Sequence, residues 1–319
     1  MRALVTGASG FVGQWLCAAL VERGDSVTGT AVDVGPDGVP PVREELRKAV
    51  RWTRVDLRRR EEIAAMLDAA APDVIFHLAG VTFVPTATAD PALAYEVNVV
   101  AAARMLAEVA ARKATGTLDP TILVVGSGEQ YGRHEGDRPL AEDVEQQPIS
   151  VYGATKVAQE TAALQSWRAT GVRLVCTRSF NHTGPGQPDH FLIPALVRRA
   201  LALRETPKPR LAIGNTSPVR DFLHVRDVIH AYLALAAGGQ PGEVYNVASG
   251  QGRTVGELAT LVLDRVGVAA ELEPVAEYIR PVDLPVLVGD PTKLRAATDW
   301  RPRSGIEHAI DELIDAASL

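Results

Sequence analysis

Tyr152 and Lys156, four residues apart, are the side chains that most clearly indicate chemistry in this sequence. In a helix this spacing places both side chains on one face. A neighbouring ammonium, helped by a cofactor's positive charge, would lower the phenol pKa from about 10 and so allow proton exchange near neutrality. Ser127 lies 25 residues before Tyr152, at the end of a predicted strand, and could hydrogen-bond the reacting oxygen. The three residues predict acid–base chemistry on an oxygen atom.

A glycine-rich turn follows the first predicted strand and opens the first predicted helix. Gly7 permits a tight turn, Gly10 lets the backbone approach a pyrophosphate, and Gly13 allows close packing of helix on strand. Free amide groups at the helix start, where Phe11 and Val12 lie, would then face the phosphate charge. This strand–turn–helix context predicts a dinucleotide-binding site.

The sequence leaves the choice between NAD(H) and NADP(H) open. An acidic residue near the end of the second strand favours NAD, whereas an arginine there favours NADP. Asp33 lies 20 residues after Gly13, which puts NAD(H) slightly ahead, although Arg43 or Arg54 could approach from elsewhere in the fold. Asp56, just past the third predicted strand, is placed to meet the adenine, but a simple turn aspartate fits equally well.

The elements that must position these residues alternate between strands and helices. Predicted strands cover 3–6, 26–32, 51–55, 74–78, 121–125 and 173–177, and predicted helices cover 11–23, 61–70, 91–112 and 152–170. Such alternation requires parallel pairing and right-handed crossovers, hence an α/β doubly wound Rossmann sheet. After about residue 180 prolines interrupt this pattern, and it returns only around 221–247. We therefore expect a dinucleotide-binding domain at 1–180, to which 220–248 returns, and a smaller carboxyl-terminal substrate-binding lobe from 181–219 and 249–319.

Composition excludes several classes of protein. The 319 residues are 46% apolar and 23% charged, with a net charge of −6, which argues against binding to nucleic acid or to an acidic membrane surface. No stretch reaches the ~20 apolar residues of a membrane span, and the amino terminus runs directly into a strand. The two cysteines, Cys17 and Cys176, lack the spacing of a zinc site or a disulfide framework. We expect a cytoplasmic enzyme that binds no metal.

At this level of detail the chain resembles the extended short-chain dehydrogenase/reductases that modify nucleotide sugars. The resemblance covers nearly the whole chain and is carried by GASGFVG at 7–13, HLAG at 77–80, Asn98, GSGEQYG at 126–132, YGATK at 152–156, FNHTGPGQ at 180–187, RDFLHVRDV at 220–228 and Arg280-Pro281. It implies that Ser127, Tyr152 and Lys156 perform the acid–base steps. It also implies homodimerisation through the helices around 91–112 and 152–170.

The same resemblance implies which residues hold the ligands. Asn181 and His182 would lie near the nicotinamide and the sugar, and Arg220 and Arg280 would bind the nucleotide diphosphate, since a guanidinium pairs well with phosphate oxygens. The remaining predicted contacts are, for the cofactor, Leu57, Leu78, Ala79 and Gly80 and, for the substrate, Thr82, Phe83, Ser127 and Glu129.

Three reactions share this scaffold: reduction of a 4-keto sugar, 4,6-dehydration and 4-epimerisation. In the dehydratases two residues directly after the catalytic Ser or Thr supply an acid and a base. Here these positions are Gly128 and Glu129, so a possible base is present and the acid is missing. The segments at 80–85, 180–187 and 220–228 are most similar to reductases that act on GDP-4-keto-6-deoxymannose.

We therefore favour reduction of the C4 ketone of a GDP-sugar, with a GDP-mannose 4,6-dehydratase second and a 4-epimerase third. No motif specifies the nucleotide base directly. A non-catalytic Rossmann protein that senses the cofactor ratio is the alternative from another class. The complete set of Ser127, Tyr152 and Lys156 argues against it, because a sensor needs no proton donor.

Overall fold

Strands and helices alternate through the first half of the chain as the sequence predicts. A computed structural model describes residues 1–136, 138–279 and 283–317. The strands are β1 (Arg2–Thr6), β2 (Ser26–Ala31), β3 (Arg51–Arg54), β4 (Val74–His77), β5 (Thr121–Ser127), β6 (Leu174–Ser179), β7 (Asn181–Thr183), β8 (Arg210–Ile213), β9 (Val219–His224), β10 (Val244–Val247), β11 (Gly252–Thr254), β12 (Glu271–Pro274) and β13 (Val286–Leu287). The helices are α1 (Phe11–Glu22), α2 (Glu44–Ala49), α3 (Arg60–Ala70), α4 (Val84–Ala89), α5 (Pro91–Tyr95), α6 (Ala101–Ala114), α7 (Val151–Thr170), α8 (Leu192–Ala202), α9 (Val225–Gly238), α10 (Val255–Val266), α11 (Thr292–Thr298) and α12 (Ile306–Ala317).

A parallel sheet in the order β10-β6-β5-β4-β1-β2-β3 forms the centre of the molecule. Helices α1 and α9 pack on one face, whereas α3, α6 and α7 belong to the other. Because both faces are covered, β1, β4 and β5 are apolar along most of their length, whereas β2 and β6 also bury polar side chains such as Thr28 and Arg178. The strand order reverses beside β1, and ligands of such sheets bind at the carboxyl ends of the strands near that reversal. The predicted fold class is confirmed.

A second, smaller set of elements packs around its own apolar cluster. Helices α8, α10 and α12 contribute most of that cluster. Beside them β9 pairs with β7, β11 and β13, and β8 pairs with β12. The start of α10 is fixed by a capping box, in which Thr254 and Glu257 exchange side-chain and backbone hydrogen bonds.

Two segments differ in detail from the sequence-based expectation. The helix predicted over 91–112 is broken by a π-helical turn at Glu96–Val100, between α5 and α6. Within 220–248, β10 pairs in the large sheet and α9 packs against that sheet, whereas β9 pairs in the small sheet. The chain pattern of strand, helix and strand was correct there. Periodicity alone does not say which sheet a short strand joins.

A buried ion pair connects the elements on which the predicted acid–base residues lie. Glu160 on α7 accepts from both ends of the Arg178 guanidinium on β6, at 2.8 and 3.0 Å, and each side chain is only 7% exposed. Gln130, just after β5, donates to Glu160 at 2.8 Å, and Gln146 donates to its other oxygen at 2.8 Å. The Arg178 guanidinium also lies over the Tyr131 ring. Every oxygen of the buried carboxylate therefore has a donor, as a buried charge requires.

Arg178→Met is expected to lower the free energy of unfolding by about 3–5 kcal/mol, because it leaves the Glu160 carboxylate buried without its counter-charge. Urea denaturation followed by circular dichroism measures the loss. The matched control is Arg198→Met, since the side chain of Arg198 is 65% exposed and pairs with Asp189 on the surface. We expect that control to change the unfolding free energy by less than about 1 kcal/mol. Equal losses in the two variants would contradict a stabilising role for the buried pair.

Candidate active site

The glycine-rich turn after β1 forms a cradle that only glycine allows. Gly7 has a positive φ of 67°, and a Cβ there would lie 2.9 Å from the backbone of Ala79. A Cβ at Gly13 would collide with the carbonyl oxygen of Gly7. The turn, the first turn of α1 and the segment Leu78–Gly80 after β4 are thus brought into direct contact.

The amino terminus of α1 is open to a ligand. Gly10 is its N-cap residue and supplies no side chain to cap the amides of Phe11, Val12 and Gly13. These amides and the helix dipole therefore favour an anion at this point. The cradle and the uncapped helix together fit the pyrophosphate of a dinucleotide. Of the residues predicted to bind it, Gly7 and Gly10 lie in the turn, and Phe11, Val12 and Gly13 lie in the first turn of α1.

Candidate residues for the ribose end lie beyond β2. Asp33 is exposed, two residues after the strand ends. Arg54 donates to the carbonyl oxygen of Val32 at 3.3 Å, which places its side chain at the same strand end. Arg43 donates to the Gln14 carbonyl at 3.0 Å, beside the first turn of α1. An acidic and a basic candidate therefore occupy the same end of β2.

Asp56 and Leu57 have contacts of their own after β3. The Asp56 carboxylate accepts from the Arg58 side chain at 2.9 and 2.7 Å and from its backbone at 3.0 Å. The Arg58 side chain, followed by its backbone N–H, lowers the pKa of Asp56 to about 2. Leu57 is 7% exposed and packs in the core. Contact of either residue with the adenine stays a prediction.

Ser127 is the last residue of β5, as expected, and a short 3-10 turn fixes it. Its backbone N–H donates to the Gln130 side chain at 2.8 Å, and its hydroxyl accepts from the Glu129 backbone at 3.2 Å. Gln130 in turn donates to Glu160. The orientation of Ser127 therefore depends on the buried ion pair described above. Its hydroxyl also forms a hydrogen bond with the Tyr152 side chain.

Tyr152 and Lys156 lie on the buried face of α7, whose start is capped by Ser150. Lys156 Nζ donates to the Val125 carbonyl and to Gln159 Oε1, both at 2.9 Å, and lies 6.0 Å from the centre of the Tyr152 ring. Burial lowers the pKa of Lys156 to about 8. Burial raises the pKa of Tyr152 to about 12, and a hydrogen bond with Ser127 opposes this. The lowering of the phenol pKa expected from the ammonium together with a bound cofactor's charge stays a prediction.

Glu129 lies at the same site, although it is only partly buried. Its negative charge adds to the rise in the pKa of Tyr152, which places the carboxylate within electrostatic reach of the phenol. Gly128 is buried, and a Cβ there would lie 3.1 Å from the Phe180 ring. The site therefore holds one carboxylate directly after Ser127 and has little room for a second.

His182 and Asn181 form part of β7, next to the glycine-rich turn. His182 Nδ1 donates to the Phe180 carbonyl at 2.9 Å, and its ring stacks on Phe11 with an angle of 13° between the planes. Burial lowers the pKa of His182, so the ring is held neutral with Nε2 as an acceptor. Phe11 links this strand to the predicted cofactor site.

Phe83 joins an aromatic cluster with His190 and Phe191, at centroid distances of 4.4 and 5.7 Å. Thr82, beside it, is exposed. The cluster brings the segment after β4 against the segment before α8. Contact of Thr82 and Phe83 with a substrate stays a prediction.

Arg220 is buried and already partnered. Its guanidinium donates to the Leu284 carbonyl at 2.7 Å and pairs with Asp283. The second predicted diphosphate ligand, Arg280, lies outside the described residues. Their joint contact with a diphosphate stays a prediction.

Sequence reasoning missed two residues that hold the site together. Gln159 binds Lys156 directly, and Gln130 connects Ser127 to Glu160. Asn98 was noted only as part of the resemblance. In the π-helical turn it exchanges hydrogen bonds with the backbone of Val81 and donates to Thr155 at 2.9 Å. The one feature of the sequence that could have indicated these three polar residues is their place in predicted helices or turns close to Ser127, Tyr152 and Lys156.

A group of potential metal ligands lies elsewhere, where His224, His308 and Glu312 have ligand atoms within 4.8 Å of one another. His224 Nδ1 accepts the backbone N–H of Arg226 at 3.0 Å. Nε2 of the neutral ring therefore carries the hydrogen and donates to Glu312 at 3.1 Å. Glu312 also pairs with Arg226 at 2.7 Å. These contacts connect α12 to the start of α9.

Comparison with known proteins agrees with this geometry. The family model described as GDP-mannose 4,6 dehydratase matches residues 4–313. The chain is 33% identical to a GDP-6-deoxy-D-mannose reductase of Pseudomonas aeruginosa, covering 98% of this chain and 96% of that protein. The solved structure of RMD from Pseudomonas aeruginosa complexed with NADPH is 30% identical, with a TM-score of 0.82 and full coverage of both chains. A UDP-glucose 4-epimerase from Thermus thermophilus in complex with NAD is 29% identical, with a TM-score of 0.83 over 99% of this chain and 98% of that one.

The fold and site define a nicotinamide-dependent enzyme of nucleotide sugars, and this predicted class is confirmed. The chain belongs to the GDP-mannose 4,6-dehydratase family. The resemblance seen in the motifs is thereby confirmed as well.

Asp33→Ala and Arg54→Ala are expected to affect the two cofactors in opposite ways. Loss of a hydrogen bond to a charged group costs about 1.5–3 kcal/mol, or roughly tenfold or more in affinity. We expect Asp33→Ala to weaken NADH and Arg54→Ala to weaken NADPH, measured by fluorescence titration of each cofactor. Arg51→Ala, at the other end of β3, is the control and should change neither affinity. Equal effects of Arg54→Ala on both cofactors would remove that arginine from cofactor selection.

Proposed function

We propose that the protein reduces the C4 ketone of a nucleotide-activated 4-keto-6-deoxy sugar, of the type that converts GDP-4-keto-6-deoxymannose to GDP-rhamnose, with NADH or NADPH as reductant. The observation that carries the proposal is the juxtaposition of Ser127, Tyr152 and Lys156 at the carboxyl edge of the sheet, with glycine at position 128. The similarity to a GDP-6-deoxy-D-mannose reductase supports the same reaction and a GDP-sugar substrate.

The residues of the chain have distinct tasks in this reaction. Nicotinamide, when bound, supplies the hydride. Tyr152 donates a proton to the oxygen on C4, and its high pKa keeps the phenol protonated at neutral pH, as an acid requires. Ser127 would donate its hydroxyl hydrogen to the same oxygen, while its own oxygen accepts from the Glu129 backbone. Lys156 places a positive charge behind the phenol and stabilises negative charge that develops there.

The remaining predicted ligands would hold the rest of the substrate. Arg220 and Arg280 would bind the diphosphate, and Asn181 and His182 would contact the sugar, with Thr82 and Phe83 at its border. Support comes from two contacts: β7, which carries Asn181 and His182, pairs with β9, which carries Arg220, and Phe83 packs against His190.

A 4,6-dehydratase is the second candidate, and Glu129 is the observation that favours it. Dehydration needs a base for the C5 proton and an acid for the departing C6 hydroxyl. Glu129 could act as the base, being within electrostatic reach of Tyr152. An acidic side chain at position 128 would require the Phe180 ring to shift slightly, because a Cβ placed there lies 3.1 Å from it. Reduction is therefore favoured over dehydration.

Purified protein given GDP-4-keto-6-deoxymannose with NADH or NADPH should oxidise the cofactor, followed at 340 nm, and release a GDP-6-deoxyhexose identified by mass spectrometry. GDP-mannose without reductant should remain unchanged. Tyr152→Phe should lower turnover by about 10²–10⁴-fold while retaining cofactor affinity. Conversion of GDP-mannose alone would make the protein a dehydratase. Cofactor binding without turnover of any sugar nucleotide, substrates of 4-epimerases included, would leave only the sensor hypothesis.

We also propose that the enzyme is a cytoplasmic homodimer, formed through the faces of α5, α6 and α7. Exposed apolar side chains support this surface, namely Tyr95 at 42%, Val100 at 39% and Ile149 at 36%. Its two cysteines are both free and buried, which suits a reducing compartment. In the described part of the chain, no helix is both long and apolar enough to cross a membrane.

Light scattering should give about twice the 34.0 kDa of one chain. Val100→Glu should shift the mass toward that of one chain, because a charge would be buried at the interface. The matched control is Val32→Glu, which changes an exposed valine distant from these helices and should leave the mass unaltered. A monomeric mass for the unaltered protein would refute the dimer.

A further inference from the structure

We propose that Gln159 is a positioning residue for Lys156: its amide oxygen holds the ammonium in place, so that one N–H remains free for the cofactor and substrate. The inference deepens the proposed function and rests on it for the role of Lys156 in turnover. Lys156 has three N–H groups, of which two donate to Val125 O and Gln159 Oε1 at 2.9 Å each. Two fixed bonds define the direction of the third.

The chemistry of the pair fixes how the amide must face. An ammonium only donates hydrogen bonds, so the oxygen of Gln159, not its nitrogen, must meet Lys156. Gln159 is 1% exposed, and among the described residues its Nε2 is a buried nitrogen with no hydrogen-bond partner. A buried unpaired donor is unfavourable. Among the described residues, the Gln159 side chain makes one hydrogen bond, and that bond is with Lys156. This exclusive contact points to a role of Gln159 in holding the lysine.

The groups around Lys156 make Gln159 the side chain best placed to act on it. His77 on β4 is kept neutral, since burial and then the charge of Lys156 lower its pKa to about 3. Tyr152 is kept protonated by burial. Glu160, the next residue of α7, is committed to Arg178, and Glu129 acts on the phenol. Within the described residues, the ammonium therefore donates its hydrogen bonds to two neutral oxygens.

Neutral acceptors have a consequence for the charge of the lysine. They stabilise the ammonium less than a carboxylate would, and burial leaves the pKa of Lys156 at about 8 instead of its ordinary 10.5. The ammonium is thus present below about pH 8 and lost above it. If turnover needs that charge, activity falls as the pH rises through this range.

Two substitutions at this position should move Lys156 in opposite directions. Gln159→Glu adds an opposite charge and should raise the pKa of Lys156 by about one or more. Gln159→Leu keeps the volume but removes the acceptor, and should lower it. The matched controls are Gln165→Glu and Gln165→Leu, because Gln165 is exposed on the same helix. If Gln159→Glu does not fold, Gln159→Asn, which shortens the amide, replaces it and should lower the pKa.

The direct measurement needs no substrate. The chain contains five lysines, Lys48, Lys113, Lys156, Lys208 and Lys293, so protein labelled with ¹³C at lysine Cε gives few NMR signals, and Lys156→Met assigns the relevant one. Its pH titration should shift in opposite directions in the two Gln159 variants and stay unchanged in the Gln165 variants. An unchanged Lys156 titration in both Gln159 variants, or equal shifts in the controls, would overturn the inference.

Turnover is the second measurement. Gln159→Leu should lower kcat about tenfold, the effect of misplacing one group by a fraction of an ångström being large, with a smaller change in KM. The alkaline fall in kcat should move to lower pH in Gln159→Leu and to higher pH in Gln159→Glu. Opposite NMR shifts without turnover of any sugar would refute the proposed function but retain the Gln159–Lys156 coupling. Turnover with an unmoved pH profile would refute the positioning role alone.

Discussion

The buried pair of Glu160 and Arg178 is the interaction on which the geometry of the site depends. It joins α7, which carries the tyrosine and lysine, to β6, and through Gln130 it reaches the backbone of Ser127 at the end of β5. Two charges in an apolar core are unfavourable unless every donor and acceptor is matched. This requirement leaves few allowed arrangements of the three elements. A helix held only by apolar contacts could slide, whereas this one is fixed relative to the serine.

Burial then sets the chemistry of the residues so positioned. Removing a group from water disfavours its charged form, so the pKa of Tyr152 rises and that of Lys156 falls. The phenol is thus kept protonated, and the pKa of Lys156 is brought close to neutral pH. Desolvation is the largest effect on the phenol in this structure, and the lowering expected from the ammonium together with a bound cofactor's charge stays a prediction. The Lys156 ammonium lies 6.0 Å from the centre of the Tyr152 ring and donates two hydrogen bonds to neutral oxygens.

The fold was predictable because its determinants are local and repeated. The alternation of strands and helices follows from hydrophobic periodicity, and the glycine turn at Gly7–Gly13 has a fixed geometric role. The site was predictable only where a motif fixes both residue type and spacing, as in Tyr152 and Lys156. Gln159 and Arg178 act through contacts that depend on helix rotation and on strands distant in sequence. The π-helical turn around Asn98 was not predicted either, since the segment 91–112 has the composition of one continuous helix.

Glycine at position 128 connects this packing to the type of reaction. A side chain at position 128 would begin with a Cβ 3.1 Å from the Phe180 ring, so that ring would have to shift slightly, and it packs with Tyr131 in a buried cluster. Tyr131 is itself tied to Asn246 at 2.7 Å and lies under Arg178. Moving Phe180 would therefore disturb the same buried network that orients Ser127. The core that builds the acid–base site thus also opposes the extra acid that dehydration requires, which favours a simple reduction at C4.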